Sequence, residues 1–193
     1  PDAGKERSAY FDDYVRRYTD MPMLVMLKEH QLPDGSTVMV PDRYVRASDF
    51  DGKFGQANNP EWKTVALDAA GKVVLPNGAI GFRWGPDGRA DQGQWNLEAK
   101  EAQHGREVKL KLSVLEGEGI VTEHFPNSAL AGGSPDVLVR TVPVQRIALG
   151  KEGEQREALV ATVFDLQVAN YGVARGVPGE LAASSFDDDT PYT

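Results

Sequence analysis

The sequence predicts an α+β fold of mostly short antiparallel strands and hairpins, with a helix near each end. Three features point there. Tyr10, Phe11, Tyr14, Val15 and Tyr18 recur at helical spacing near the start. Short apolar runs follow, separated by Gly-, Pro- and Asn-rich turn signals. A helix-start pattern returns late in the chain at Thr162-Val163-Phe164-Asp165.

The first stripe predicts a helix over residues 5–19. Arg16 and Arg17 lie off the stripe in the last turn, where cations suit the helix dipole. They read either as a solvated face or as a salt-bridge anchor to the rest of a larger subunit. Pro22 stops the helix. Residues 23–27 form a continuous apolar run, a buried strand. Pro33-Asp34-Gly35 is a turn signal that pairs this strand with residues 37–40 as a hairpin.

Residues 62–67, 73–75 and 79–84 read as short strands split by Ala70-Gly71 and Pro76-Asn77-Gly78. Val108, Leu110, Leu112 and Val114 alternate with Lys109, Lys111 and Ser113, the pattern of a half-buried strand with one wet face. Residues 85–106 and 116–136 read as exposed excursions. Residues 137–149 and 157–161 predict a second hairpin across 150–154. Thr162 and Asp165 then form a capping box, and Phe164, Val168 and Tyr171 follow at helical spacing, with Gly172 or Gly176 closing the helix. Residues 184–193 are acidic and irregular.

Composition excludes several functions. The 193 residues suit one domain, and 40% of them are apolar, enough for a core. A net charge of −8 with no basic cluster excludes a nucleic-acid binder. The chain has no cysteine, which excludes disulfides and thiolate-held zinc or iron–sulfur clusters within it. It has no apolar run of about 18 residues, so no direct membrane insertion is expected. Nor does it show a basic-then-apolar leader. Pro1 in place of an initiator Met points to a fragment, and Thr193 reads as the cap of a helix that continues elsewhere.

The chemistry-bearing residues assemble no site on their own. His30, His104 and His124 lack a second His at zinc-ligand spacing. No serine sits in a nucleophile elbow. Gly132-Gly133-Ser134 has no following lysine and reads as a loop. Asp187-Asp188-Asp189 reads as a solvated tail or helix start before it reads as a cation site. Trp62, Trp84 and Trp95 read either as core or as a sugar-stacking face. No catalytic, cofactor-binding or metal residue is assigned.

Several stretches, in order, resemble one family. They are Tyr14-Val15-Arg16-Arg17-Tyr18-Thr19-Asp20-Met21-Pro22 running to Leu27, then residues 55–66, and 76–85 with 95–98. Residues 122–125, 159–166 running into 169–172, and 185–188 with Tyr192-Thr193 complete the set. They resemble the alpha subunit of membrane-bound respiratory nitrate reductase and cover nearly the whole chain. The resemblance implies a large enzyme that reduces nitrate to nitrite. It would carry a molybdenum bis-guanine-dinucleotide cofactor and one iron–sulfur cluster, and take electrons from quinol through partner subunits. It implies an iron–sulfur beta subunit, a membrane gamma subunit and the rest of the alpha subunit as partners, at the cytoplasmic face of the bacterial inner membrane. The family's cluster ligands and molybdenum-ligating Asp lie upstream of this segment, so none of those roles transfers to it. No cofactor is therefore expected here. Residues 86–94 look like a local insertion, and the stretch before Thr122 is shorter than in the family.

The resemblance also implies a division. Residues 1–20 are a helix continuous with the parent catalytic body. Residues 21–161 are a mostly β insertion, and 162–193 are a helix and acidic tail leading back. The alternative is a free-standing β-rich carbohydrate- or protein-binding module.

Overall fold

The computed structural model describes residues 9–55, 59–77, 100–101, 104–116, 121–126, 139–150, 156–171 and 175–176. Helix α1 spans Ala9–Tyr18. It gives way to a hairpin of β1 (Leu24–Gln31) and β2 (Thr37–Tyr44), which pair antiparallel around the predicted turn. Gly35 takes φ +86°, a conformation that suits a residue without Cβ. Asp34 Oδ1 accepts from Ser36 N at 2.9 Å and closes the turn. Both strands run longer than their apolar runs. β1 is buried over its first four residues and exposed over its last four, so the hairpin tip projects from the body.

The second predicted hairpin is also present. Strand β8 (Val139–Leu149) pairs antiparallel with β9 (Arg156–Thr162). β9 also pairs with β1, and β7 (Val121–Pro126) pairs with the far edge of β8. The sheet order is β2-β1-β9-β8-β7, antiparallel throughout. A register shift between Val25 and Leu27 bends β1. The two edge strands, β2 and β7, come into contact with no ladder between them. The sheet is thus curled toward a barrel.

Strand alternation loads both faces. On one face, Leu24, Met26, Ile147, Leu149 and Val160 pack with Val45, Phe50, Val65, Leu67 and Leu75 from the chain that crosses over the sheet. On the other, Val25, Leu27, Val142, Val144 and Ala161 pack with Leu166 and Ala169 of α2 (Val163–Asn170). Each fully buried Leu or Phe contributes about 1.5–3 kcal/mol. Among the described residues two small ladders lie beside this sheet: β3 (Ala66–Leu67) with β4 (Val73–Val74), and β5 (Pro76–Asn77) with β6 (Lys100–Glu101).

The structure corrects several expectations. Trp62 stands in a 3-10 turn at Pro60–Trp62, so the strand expected over 62–67 is reduced to Ala66–Leu67. Asn59 Oδ1 accepts from Glu61 N and holds that turn. The stretch 108–114 forms no strand. Lys111 (6% exposed) and Ser113 (1%) are covered rather than wet, because the chain runs between the sheet and the Gly71 turn on one side and α2 on the other. The excursion expected over 116–136 contains β7, and that expected over 85–106 contains β6. Thr162 caps α2 by accepting from Asp165 N at 3.0 Å, but Asp165 does not complete the box; its carboxylate turns into the core. The buried face of α2 is Asp165, Leu166 and Ala169, while Tyr171 is exposed. The strand expected over 79–84, the closing role of Gly172, and the tail at 184–193 lie outside the described residues.

Candidate functional site

Two polar knots fix both helices to the stretch 110–116. The first holds α1. Arg16 donates through Nη1 and Nη2 to the two carboxylate oxygens of Glu116 at 2.9 and 2.8 Å. Nη1 also donates to the Leu110 carbonyl. This fork geometry suits only arginine and is the stronger kind of ion pair. Arg16 is thus an anchor, and its partner lies within this chain. Arg17 makes the ordinary i,i+4 pair with Asp13 at 2.6 Å.

The second knot holds α2. Asp165 is fully buried. Its carboxylate accepts from Ser113 Oγ at 2.6 Å, from Val114 N at 2.9 Å and from Arg175. Arg175 also donates to Ser113 Oγ at 2.6 Å and lies over the Phe164 ring at 5.6 Å. Thr162 Oγ1 donates to the Leu112 carbonyl at 2.9 Å. A buried carboxylate costs little only when its acceptor sites are filled, and these partners fill them. Sequence reasoning missed this knot because its members are far apart in the chain. The one available signal was Asp165, a charge in the first turn of a helix flanked by core residues.

Two clefts remain. One of about 510 Å³ lies between α1 and residues 107–110, lined by Asp12, Asp13, Arg16, Arg17, Glu107 and Lys109, so its charges balance. A second, of about 470 Å³, lies between β2 and α2, lined by Val25, Pro41, Tyr44, Val163, Leu166 and Tyr171 among others. Beside it, burial first and then the hydrogen bond from Tyr44 Oη to Asp20 (2.8 Å) push the Tyr44 phenol up to about 12. It keeps its proton at any physiological pH. Burial pushes the Asp49 carboxyl up, but the Arg43 fork (2.7 and 2.8 Å), the Arg46 N–H and both positive charges outweigh it and hold it below the carboxylate range.

The chemistry-bearing residues stay scattered. His30 is exposed on the projecting half of β1, and His104 meets Glu101 through Nδ1 at 2.8 Å. No group of three or more His, Cys, Asp or Glu side chains is placed to hold a metal ion among the described residues. Trp62 is 81% exposed, in no tryptophan cluster among the described residues. Trp84, Trp95, the His124 side chain, Gly132-Gly133-Ser134 and Asp187-Asp188-Asp189 lie outside them. Neither helix is long and apolar enough to cross a membrane, among the described residues.

What the geometry does present is an outward aromatic face. Tyr10 is 80% exposed, Tyr14 49% and Phe11 40%, all on α1. The Tyr10 and Tyr14 rings stack at 6.4 Å, and Tyr14 and Tyr18 at 5.1 Å.

Fold and site together define an α+β domain built on a curled antiparallel sheet, with both helices clasped to one stretch of chain. No family model matches it. The chain is 45% identical, in an alignment 198 positions long that covers 96% of it, to the respiratory nitrate reductase 1 alpha chain of Escherichia coli. It is 43% identical to the respiratory nitrate reductase 2 alpha chain of the same organism and 35% identical to the nitrate reductase alpha chain of Bacillus subtilis. The chain belongs to the nitrate reductase alpha-chain family as a fragment. It spans 14% of the length of the two Escherichia coli relatives and 13% of that of the Bacillus subtilis one.

Proposed function

We propose that the chain is a non-catalytic structural or subunit-contact domain of a respiratory nitrate reductase alpha subunit. The whole subunit would reduce nitrate to nitrite in anaerobic respiration. Its molybdenum bis-guanine-dinucleotide cofactor and iron–sulfur cluster would supply the electron transfer from ligands elsewhere in the subunit. The complex would include an iron–sulfur beta subunit and a membrane gamma subunit, at the cytoplasmic face of the inner membrane. One observation carries this reading: strong identity over 96% of the chain to proteins of which it covers only 14%, in a chain with no cysteine.

The division of the chain follows the same reading. Residues 1–20 and 162–193 are the two attachment points, and 21–161 the insertion between them. The clasp at 110–116 supports it, since Arg16 near one end and Asp165 near the other grip the same stretch. Two ends held together are what an insertion into a continuous body needs, and the closure entropy is modest.

The test is an assay with reduced viologen and nitrate, run on the 193-residue chain and on the full-length alpha subunit that contains it. Turnover is expected from the full-length subunit with its cofactors and none from the segment. Turnover by the segment alone would overturn the non-catalytic reading. An inactive full-length subunit, loaded with both cofactors, would overturn the enzyme assignment.

A further inference from the structure

Helix α1 turns part of its apolar stripe away from its own domain. An amphipathic surface helix normally turns its apolar stripe to its own core and its polar residues to water. Here Val15 and the Arg16 guanidinium face the domain. The Tyr10 and Tyr14 side faces outward. A polar fork and the buried Val15 side chain hold the helix to its domain and fix which side points away. The stacked Tyr10, Tyr14 and Tyr18 rings order that side in advance. An aromatic surface already ordered loses little entropy when it is covered.

We infer that this outward face is an intramolecular docking surface, covered by the remainder of the alpha chain. The inference rests on the family reading above. Size selects the occupant. A ten-residue helix is about 15 Å long and about 10–12 Å across, so one side of it offers at most a few hundred Å². A stable pair of separate proteins uses about 800 Å² per partner. A tethered partner needs far less, because its effective concentration is high. The relatives supply such a tethered body, since this chain is 14% of their length.

The experiment uses the full-length alpha subunit. A photoreactive benzoylphenylalanine is placed at Tyr14, and in a second variant at Tyr10; the preparation is irradiated and the products are mapped by mass spectrometry. Crosslinks within one alpha chain, from either position to residues outside this segment, are expected. Crosslinks to a second copy or to another subunit, or none at all, would overturn the inference. Nitration by tetranitromethane, done on the unsubstituted enzyme, guards against a folding defect in the variants. Tyr10 and Tyr14 should react about tenfold slower in the folded than in the urea-unfolded subunit. Equal rates would overturn the inference whatever the crosslinks show. Nitrate reduction by the same preparation separates the two claims: reactive tyrosines in an active enzyme defeat the docking alone, and protected tyrosines in an inactive one defeat the enzyme assignment alone.

Discussion

The Asp165 carboxylate accepts from one hydroxyl, one backbone N–H and one guanidinium, with no solvent exposure. Replacing it by Ala leaves Val114 N, Ser113 Oγ and the Arg175 charge without their acceptor. Truncating one partner of a buried charged network costs about 3–5 kcal/mol, and Asp165→Ala is expected to lose that much in urea unfolding. Asp165→Asn keeps the shape and part of the bonding, so its loss should be smaller. A loss under about 1 kcal/mol for the Ala variant would show that the knot is not holding α2. Tyr44 makes a separate prediction, in alkali. Its folded value is raised to about 12 from the usual 10, so its contribution is complete below pH 10 and fades as pH climbs through 12. Tyr44→Phe should cost about 1 kcal/mol at neutral pH, from the lost bond to Asp20. The part of the alkaline decline that Tyr44 causes between pH 10 and 12 should vanish in that variant. Unfolding at stepped pH checks both.

Among the elements, α1 is tied to its domain by the Arg16 fork beside the buried Val15. Arg16 bonds Glu116 with both terminal nitrogens and reaches the Leu110 carbonyl as well. Lysine carries the same charge but has no fork. Arg16→Lys is expected to destabilise the docked helix by about 1–3 kcal/mol, the range for charge-assisted hydrogen bonds. The local signature is faster amide exchange over Ala9–Tyr18 with β1 unchanged. Unaltered exchange in α1 would mean that the fork does not hold the helix. The sequence stripe showed that α1 exists but not that it divides, with Val15 inward and Tyr10 and Tyr14 outward, because periodicity alone does not say which part of a stripe is covered. The two hairpins were legible, since turn residues and apolar runs are local signals. β7 was not, because Val121-Thr122-Glu123-His124-Phe125-Pro126 has little apolar pattern and its extension comes from pairing with β8. The 108–114 alternation misled for the opposite reason. A strand covered on one side and a coil covered on both can share one pattern, and only tertiary packing separates them.

At the scale of the whole molecule, the family was legible from ordered stretches of sequence, yet the segment's own role was not. A docking face and a solvated face are written with the same residues, and the sequence alone does not show that Tyr10 and Tyr14 stand outward. The sheet carries a further consequence. β1 sends Leu24 and Met26 into one cluster and Val25 and Leu27 into the other, and β9 likewise divides Val160 from Ala161. Neither cluster can lose its sheet face without unpairing the strands that form the other. The two cores should therefore melt as one unit, although they never meet across the sheet. Leu24→Ala is expected to cost about 2–5 kcal/mol, and Val25→Ala somewhat less because it removes a smaller side chain. Both should shift a single transition, with far-ultraviolet circular dichroism and aromatic fluorescence moving together. If Val25→Ala instead split the curve in two, with α2 melting first, the cluster on the α2 side would be a separately stable layer. The sheet would then be a platform carrying two independent packings rather than the common wall between them.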